Sequence, residues 1–276
     1  MAVTVKIASR EDLDVMLEIE HDTMPNHTYL FETQNELLDP AQGKMLLSYL
    51  DDVPVGIAHV YFQPDRAGWF EILRVKPAYQ KKGAGTAMWD KALEICEEEK
   101  LVSLGMYTGA TNVTSKKIAE RKGLTLAAQV KEGVLKRDAL PKGCSEGFEA
   151  VTAEYAAKVM ADKTADLSNT FVYNRTFFAF SKGNYKWLEN DNMLFAKGET
   201  VVSVGARFNK DAALQIGFMA GDLDEAIQFA ISKMSEGNWP QLVIDVPDHR
   251  TDIIEKLESY GFEFMPNTII TLKRDF

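Results

Sequence analysis

The stretch V-K-P-A-Y-Q-K-K-G-A-G-T, Val75 to Thr86, has the residue types and spacing to hold a phosphate. A run with strand character, Trp69 to Val75, precedes it, and a helix-patterned run follows to about Glu99. A strand that ends in a glycine-bearing loop and passes straight into a helix gathers unpaired backbone N–H groups at the positive end of the helix dipole. Gly83 and Gly85 put no Cβ in the way of an anion and permit the backbone angles of such a loop. Lys81 and Lys82 add positive charge. There is no G-x-G-x-x-G after the first strand and no G-x-x-x-x-G-K-[ST], so neither the dinucleotide fingerprint nor the P-loop fits. A plain strand–turn–helix with a surface lysine pair remains the alternative, and the flanking elements distinguish the two.

Upstream, Lys44 to Leu50 and Val55 to Phe62 are apolar, β-branched and aromatic runs joined by Asp51-Asp52-Val53-Pro54, a hairpin pattern. Val3 to Ala8 reads as a first strand, and Ser9 as the N-cap of a helix carrying Leu13, Met16, Leu17 and Ile19. Downstream, Leu101 to Thr108 is a strand, Asn112 to Lys122 a short helix stopped by Gly123, and Leu124 to Val130 a further strand.

This order, β-α-(α)-β-β-β-α-β-α-β, and the spacing Q-x-x-G-x-G after V-x-P resemble the GNAT superfamily of N-acyltransferases. The segment N-V-T-S-K-K-I-A-E-R-K-G-L resembles that family's second motif, N-x-x-A-x-x-L-Y-x-K-x-G-F. The likeness covers nearly all of residues 1–130 in element order and concentrates in these two motifs. It implies acetyl-CoA as co-substrate and an amine acceptor, with direct attack in a ternary complex. By the same resemblance, Leu73, Arg74 and Val75 hold the pantetheine arm and polarise the acyl carbonyl through backbone groups. Lys81, Lys82, Gly83, Ala84, Gly85 and Thr86 hold the diphosphate, and Asn112 touches the pantetheine arm or simply caps its helix.

Transfer from a thioester to an amine needs a held thioester, a group to take the amine proton and a group to protonate the thiolate. The family's usual tyrosine acid falls at Ala119 here, so that acid is missing. Tyr107 lies five before Asn112, where ribosomal-protein alanine acetyltransferases of this family place a glutamate. A phenol there can serve as the acid, or it packs as an ordinary aromatic. Glu71, in W-F-E-I-L-R-V, is an acid inside an apolar strand beside the expected coenzyme site and is the candidate base. Its structural alternative is a partner for Arg66 or Arg74. His59 is a lesser candidate base.

At 276 residues, 46% hydrophobic and 26% charged, the chain fits one large or two ordinary globular domains. A net charge of −10 argues against a nucleic-acid partner and mildly favours a cationic substrate. No apolar run approaches the ~20 residues of a membrane span, and the N-terminus lacks a signal-peptide core, so a cytoplasmic protein is expected. Four scattered histidines show no zinc spacing, so no metal is expected. Of the two cysteines, Cys96 reads as a buried thiol. A homodimer is compatible with all of this.

The second half repeats the first. L-E-S-Y-G-F-E-F at Leu257 to Phe264 matches A-E-R-K-G-L-T-L at Ala119 to Leu126, an offset of 138 that brings Gly221 opposite Gly83 and Gln241–Val246 opposite Ser103–Thr108. Met193 to Ala196 with Thr200 to Phe208 reads as a hairpin, Leu214 to Met219 as a strand and Asp222 to Glu236 as an amphipathic helix. Val172 to Phe180 is open between strand and helix, and Lys131 to Gly147 reads as the linker. The expected fold is therefore α/β (α+β): two GNAT-like domains, 1–140 and 141–276, each a mixed, mainly antiparallel sheet flanked by helices. In place of Q-K-K-G-A-G-T the second copy has F-M-A-G-D-L-D-E, whose carboxylates oppose a diphosphate. Residues 1–140 are expected to be catalytic and 141–276 structural and substrate-shaping. The rival to an active enzyme is a catalytically silent acyl-CoA-binding sensor, for which the residue at Ala119 is the best support.

Overall fold

The structure, a computed structural model, describes residues 2–26, 28–139, 141 and 143–276. Along the first half run β1 (Val3–Ile7), α1 (Leu13–Thr23), α2 (Tyr29–Leu37), β2 (Gly43–Leu50), β3 (Val53–Phe62), β4 (Ala67–Val75), α3 (Ala84–Glu98), β5 (Ser103–Gly109), α4 (Val113–Arg121) and β6 (Thr125–Lys136). Then follow β7 (Glu149–Ala150), α5 (Ala153–Met160), β8 (Thr170–Tyr173), β9 (Thr176–Ala179), α6 (Lys182–Asn190), β10 (Leu194–Lys197), β11 (Thr200–Gly205) and β12 (Leu214–Ala220). The chain closes with α7 (Leu223–Glu236), β13 (Gln241–Pro247), α8 (Thr251–Ser259), β14 (Glu263–Phe264) and β15 (Ile269–Asp275).

Two compact units result. The first holds residues 1–106, 114–125 and 272–276; the second holds 107–113 and 126–271. Neither is a simple half of the sequence, because the first takes in the end of the chain and the second takes in β6. The strand expected at Leu124–Val130 runs on to Lys136, which removes Lys131 to Lys136 from the expected linker. Residues 131–136 alternate poorly but find seven-residue pairing with β13, from Val130↔Pro247 to Lys136↔Gln241, and that long-range ladder overrides the local polar composition.

In the first unit the sheet runs β1-β2-β3-β4-β5, antiparallel except for the parallel β4–β5 pair. Ser9 caps a 3₁₀ turn, Arg10–Asp12, that leads into α1, rather than α1 itself, whose N-cap is Asp12: the Ser9 side chain accepts from the Glu11 N–H and the Asp12 side chain accepts from the Ser9 N–H. Helix α1 buries Met16 and Ile19 with Leu30 and Leu37 of α2 against Met45, Leu47 and Ile57 of the sheet. Helix α3 buries Ala84, Met88, Trp89, Ala92, Ile95 and Cys96. That spacing makes one apolar stripe, and Phe70 of β4 meets the Trp89 ring at 4.1 Å between centroids. Burial pushes the Cys96 thiol up to about 12, which leaves it protonated and unreactive as a nucleophile.

The second unit has the order β6-β13-β12-β11-β10-β7, with β12–β13 parallel. The ambiguous Val172–Phe180 run is strand: β8 and β9 form a hairpin across Asn174-Arg175. Both turn residues have positive φ, 50° and 57°, the two-residue turn whose twist suits a tight hairpin. Among the described residues no helix is long and apolar enough to cross a membrane.

Candidate active site

Strands β4 and β5 pair at only three positions, Ala67↔Ser103, Gly68↔Leu104 and Trp69↔Gly105. From Phe70 onward the β4–β5 register carries no further pair, so the two strands part there. The other edge is irregular too. The ladder to β3 steps from His59↔Glu71 to Ile57↔Arg74, so Ile72 and Leu73 together face Ala58. Such a bulge leaves main-chain groups out of the ladder. It also drives Ile72 to φ 62°, an outlier for a β-branched residue that costs on the order of 1–3 kcal/mol. Leu73, Arg74 and Val75, the residues expected to hold a pantetheine arm, follow directly. The Arg74 side chain is spent elsewhere, in an ion pair with the buried Glu20, whose carboxylate also accepts from the Leu30 N–H. A role for Arg74 toward a coenzyme is then a backbone role.

The loop between β4 and α3 turns on two left-handed residues, Lys81 at φ 61° and Gly83 at φ 97°. Gly83 is the N-cap of α3, and among the described residues no side chain caps the first turn. The Ala84, Gly85 and Thr86 N–H groups therefore meet an incoming anion without competition from a capping side chain. Space above them is open: a Cβ on Gly83 would come no closer than 3.7 Å to Val3, and one on Gly85 only 4.0 Å to Val75. Packing does not demand glycine at either position; at Gly83 the backbone angle does. Lys81 and Lys82 are exposed, with the Lys82 ammonium 5.2 Å from the Tyr79 ring centroid. The Gln80 amide ties the loop to the Val75 carbonyl at 3.1 Å.

The second copy keeps the scaffold and closes the site. Strands β12 and β13 again pair at three positions, ending at Ile216↔Ile244. Beyond that point β8 packs in: Tyr173 lies so close to Gly217 that a Cβ there would be 2.4 Å from its ring, and its hydroxyl bonds to Ser203 at 2.6 Å. The space that remains between β12 and β13 is ≈ 20 Å³, room for about one water. At the start of α7, Asp222 accepts from the Glu225 N–H at 3.1 Å and occupies the place an anion would take. Gly221 here is a packing glycine, since a Cβ would fall 2.6 Å from Thr200 Cα. Asp222→Ala is expected to cost ~1 kcal/mol of stability as a lost cap and to create no acetyl-CoA site, because the loop still sits on Thr200. A denaturation curve and an acetyl-CoA titration of the variant check both halves of that expectation.

Glu71 pairs with neither Arg66 nor Arg74. It lies on β4 opposite His59, and the His59 Nδ1 is 2.9 Å from its Oε1. Both side chains are buried. Donation from Nδ1–H to the carboxylate leaves Nε2 as the lone-pair nitrogen, and that atom has no hydrogen-bond partner among the described residues. The ring is held against Gly43, where a Cβ would fall 2.6 Å from Nε2. The carboxylate is thus oriented by an imidazole inside an apolar sheet face, an arrangement that can accept a proton directly or through a water.

Asn112 sits exposed immediately before α4, and Ala119 is fully buried on that helix, where a tyrosine side chain has no room. Tyr107 is half-buried near the end of β5. Arg175, on the turn between β8 and β9, binds Glu132 with two parallel bonds, at 2.8 and 2.7 Å. Sequence reasoning missed Arg175; the available signal was the alternating F-V-Y-N-R-T-F-F around a two-residue turn. Across from Glu132 in the β6–β13 ladder is Asp245, the counterpart of Tyr107 at the 138 offset.

Asp245 keeps some surface exposed, but its Oδ1 is sealed from solvent and has no partner among the described residues. Burial pushes its carboxyl from an ordinary 3.8 up to about 8, with Glu132 adding to the rise and Arg175 opposing it. Between those values the folded chain holds a proton that the unfolded chain has released, so stability falls as pH rises through that window and levels off above it. Asp245→Asn is expected to raise the thermal midpoint more near pH 8 than near pH 5. Equal gains at both pH values would show that Asp245 does not carry the pH dependence.

Comparisons with known proteins agree with this geometry. The model of the acetyltransferase (GNAT) family matches residues 12–124. No curated protein matches the chain by sequence. Among solved structures, an acetyltransferase candidate from Pyrococcus horikoshii aligns with TM-score 0.66 at 16% identity, covering 99% of this chain and 89% of that one. A tandem GNAT protein from the clavulanic acid biosynthesis pathway aligns with TM-score 0.61 at 12% identity, covering 99% and 98%. A GCN5-related glucosamine N-acetyltransferase region in a fungal multi-domain β-N-acetylglucosaminidase gives 0.69 at 11% identity, covering 99% of this chain and 38% of that one. At such identities the likeness is one of fold, a mixed, mainly antiparallel sheet flanked by helices.

Proposed function

We propose, from a chain whose residues 12–124 are a domain of the GNAT acetyltransferase family, that the protein is an N-acetyltransferase. It moves an acetyl group from acetyl-CoA to the primary amine of a small molecule or peptide. One contrast carries the reading. The start of α3 is open and free of a side-chain cap, whereas the matching start of α7 is capped by Asp222. The loop N–H groups from Lys81 to Thr86 hold the diphosphate, and the main chain of Leu73 to Val75 holds the pantetheine arm and the acyl carbonyl. Asn112 lies along that arm.

The reaction proceeds by direct attack. The amine lone pair forms the C–N bond at the acyl carbon while the C–S bond breaks and its electron pair stays on sulfur. Glu71 takes the proton that the nitrogen sheds, and Tyr107 gives its hydroxyl proton to the thiolate. One proton passed through solvent from Glu71 to Tyr107 restores both. The buried Glu71–His59 pair supports the first role, since the imidazole 2.9 Å away orients the carboxylate.

The test is release of free CoA from acetyl-CoA across a panel of small amines, amino acids and peptide N-termini. Amine-dependent release with matching acetylated product is expected. Tight acetyl-CoA binding without release for every amine class would overturn the reading in favour of a silent acyl-CoA-binding module.

A further inference from the structure

We propose that Glu20 is a positioning residue for the coenzyme: through Arg74 it holds the far end of β4 in its bulged form and so presets the main chain of Leu73 to Val75 for the pantetheine arm. This rests on the acetyl-CoA reading above. Beyond the bulge, Arg74 is the first residue to rejoin the ladder, opposite Ile57. Its guanidinium pairs with Glu20 of α1. That carboxylate is 3% exposed and the arginine side chain 13%, so salt screens the pair little. Two further carboxylates of α1, Glu18 and Asp22, meet the Lys76 ammonium at 2.5 and 3.3 Å, but they are 64% and 44% exposed. Exposed pairs of that kind hold weakly, so the grip on the strand is that of Glu20.

Glu20 is itself fixed from a second side. Both of its oxygens accept from the Leu30 N–H, at 3.2 and 3.0 Å. Leu30 lies in the first turn of α2, whose N-cap Thr28 makes no side-chain cap. The carboxylate therefore stands in for that cap, where the helix dipole favours a negative charge. Helices α1 and α2 are anchored in turn by Met16, Ile19, Leu30 and Leu37 against the sheet. The pin has a strain to oppose. Ile72 at φ 62° is in a conformation that persists only where the surroundings over-determine it. The enforcing contacts here are the ladder to β3 and, two residues on, the ion pair of Arg74 with Glu20. A strand freed of that pair relaxes toward a regular ladder, which draws the main-chain groups beside Ile72 back into pairing with β3 and away from the coenzyme.

Replacing Arg74 alone would strand a buried carboxylate and destabilise the fold, so the test replaces the pair. In Glu20→Gln combined with Arg74→Met, the glutamine oxygen still accepts from the Leu30 N–H and no charge is left unpaired. The thermal midpoint should then stay near that of wild type. Calorimetry with two probes reads the effect: acetyl-CoA, and 3′-phospho-ADP, which has the coenzyme's nucleotide and diphosphate but no pantetheine arm. If the bulged form falls to about a tenth of the population, acetyl-CoA affinity falls ~10-fold, while affinity for the arm-less probe is unchanged. Glu20→Gln alone, which leaves Arg74 a neutral acceptor, should lie between the pair variant and wild type. Adding Ile72→Gly to the pair variant, a residue that takes positive φ without strain, should recover part of the loss. Wild-type acetyl-CoA affinity in the pair variant, an equal loss for both probes, or no recovery with Ile72→Gly would overturn the proposal. Wild-type protein that does not bind acetyl-CoA, or binds it with no affinity for the arm-less probe, would instead fail the reading of the loop before α3 as a diphosphate site.

Discussion

Glu71→Gln is expected to lower turnover by ~10²–10⁴-fold, the range for loss of an acid–base group, while acetyl-CoA affinity stays at the wild-type value. Glutamine keeps the size and the hydrogen-bond acceptor that faces His59 Nδ1 at 2.9 Å, so the sheet should be undisturbed. What it cannot do is accept the amine proton. Coenzyme affinity should not follow, because the coenzyme is assigned to main-chain groups of Leu73–Val75 and of the loop before α3. Steady-state kinetics together with a binding titration separate the two quantities. Wild-type turnover in the glutamine variant would remove Glu71 from the chemistry and leave His59 Nε2 or bulk water as the base.

Gly83→Glu is expected to weaken acetyl-CoA binding by more than ~10²-fold, about 2.8 kcal/mol at 1.4 kcal/mol per tenfold. Two effects add. The backbone at Gly83 has φ 97°, a region that side-chain-bearing residues occupy at a cost. The new carboxylate would also stand at the helix N-terminus, where it takes the anion's place and repels it, at ~4 kcal/mol for unit charges 4 Å apart at an effective dielectric of 20. Gly83 is exposed and no neighbour lies within 3.7 Å of its Cβ position, so the thermal midpoint should fall little. Retained affinity with a normal melting curve would mean that the diphosphate is bound elsewhere.

Local chemistry made some of this legible in the sequence and left other parts silent. The loop from Val75 to Thr86 is read easily because its residue types act through the adjacent helix start, a nearest-neighbour effect. Ser9 is read for the same reason. The repeat of residues 119–126 at 257–264 was legible because a helix stop before a strand needs its glycine in both places, Gly123 at φ 85° and Gly261 at φ 91°. The bulge at Ile72 had no signal, since an isoleucine at positive φ is imposed by the ladder on β3 and opposed by its own side chain. The extension of β6 to Lys136 depends on pairing with β13, more than a hundred positions away in sequence. Arg175 was hidden likewise, because Glu132 meets it only after the β8–β9 hairpin has closed. The pairing of Glu71 with His59 follows from the β3–β4 register, which the bulge shifts and which the sequence alone did not specify.

The central claim is that the chain has two copies of one scaffold and a single acyl-CoA site, at the start of α3. Calorimetric titration of acetyl-CoA into the full chain tests it most directly. The account predicts a stoichiometry near one, with the binding heat abolished in Gly83→Glu and unchanged in Asp222→Ala. A stoichiometry near two, with Gly83→Glu losing only one of the two sites, would contradict it.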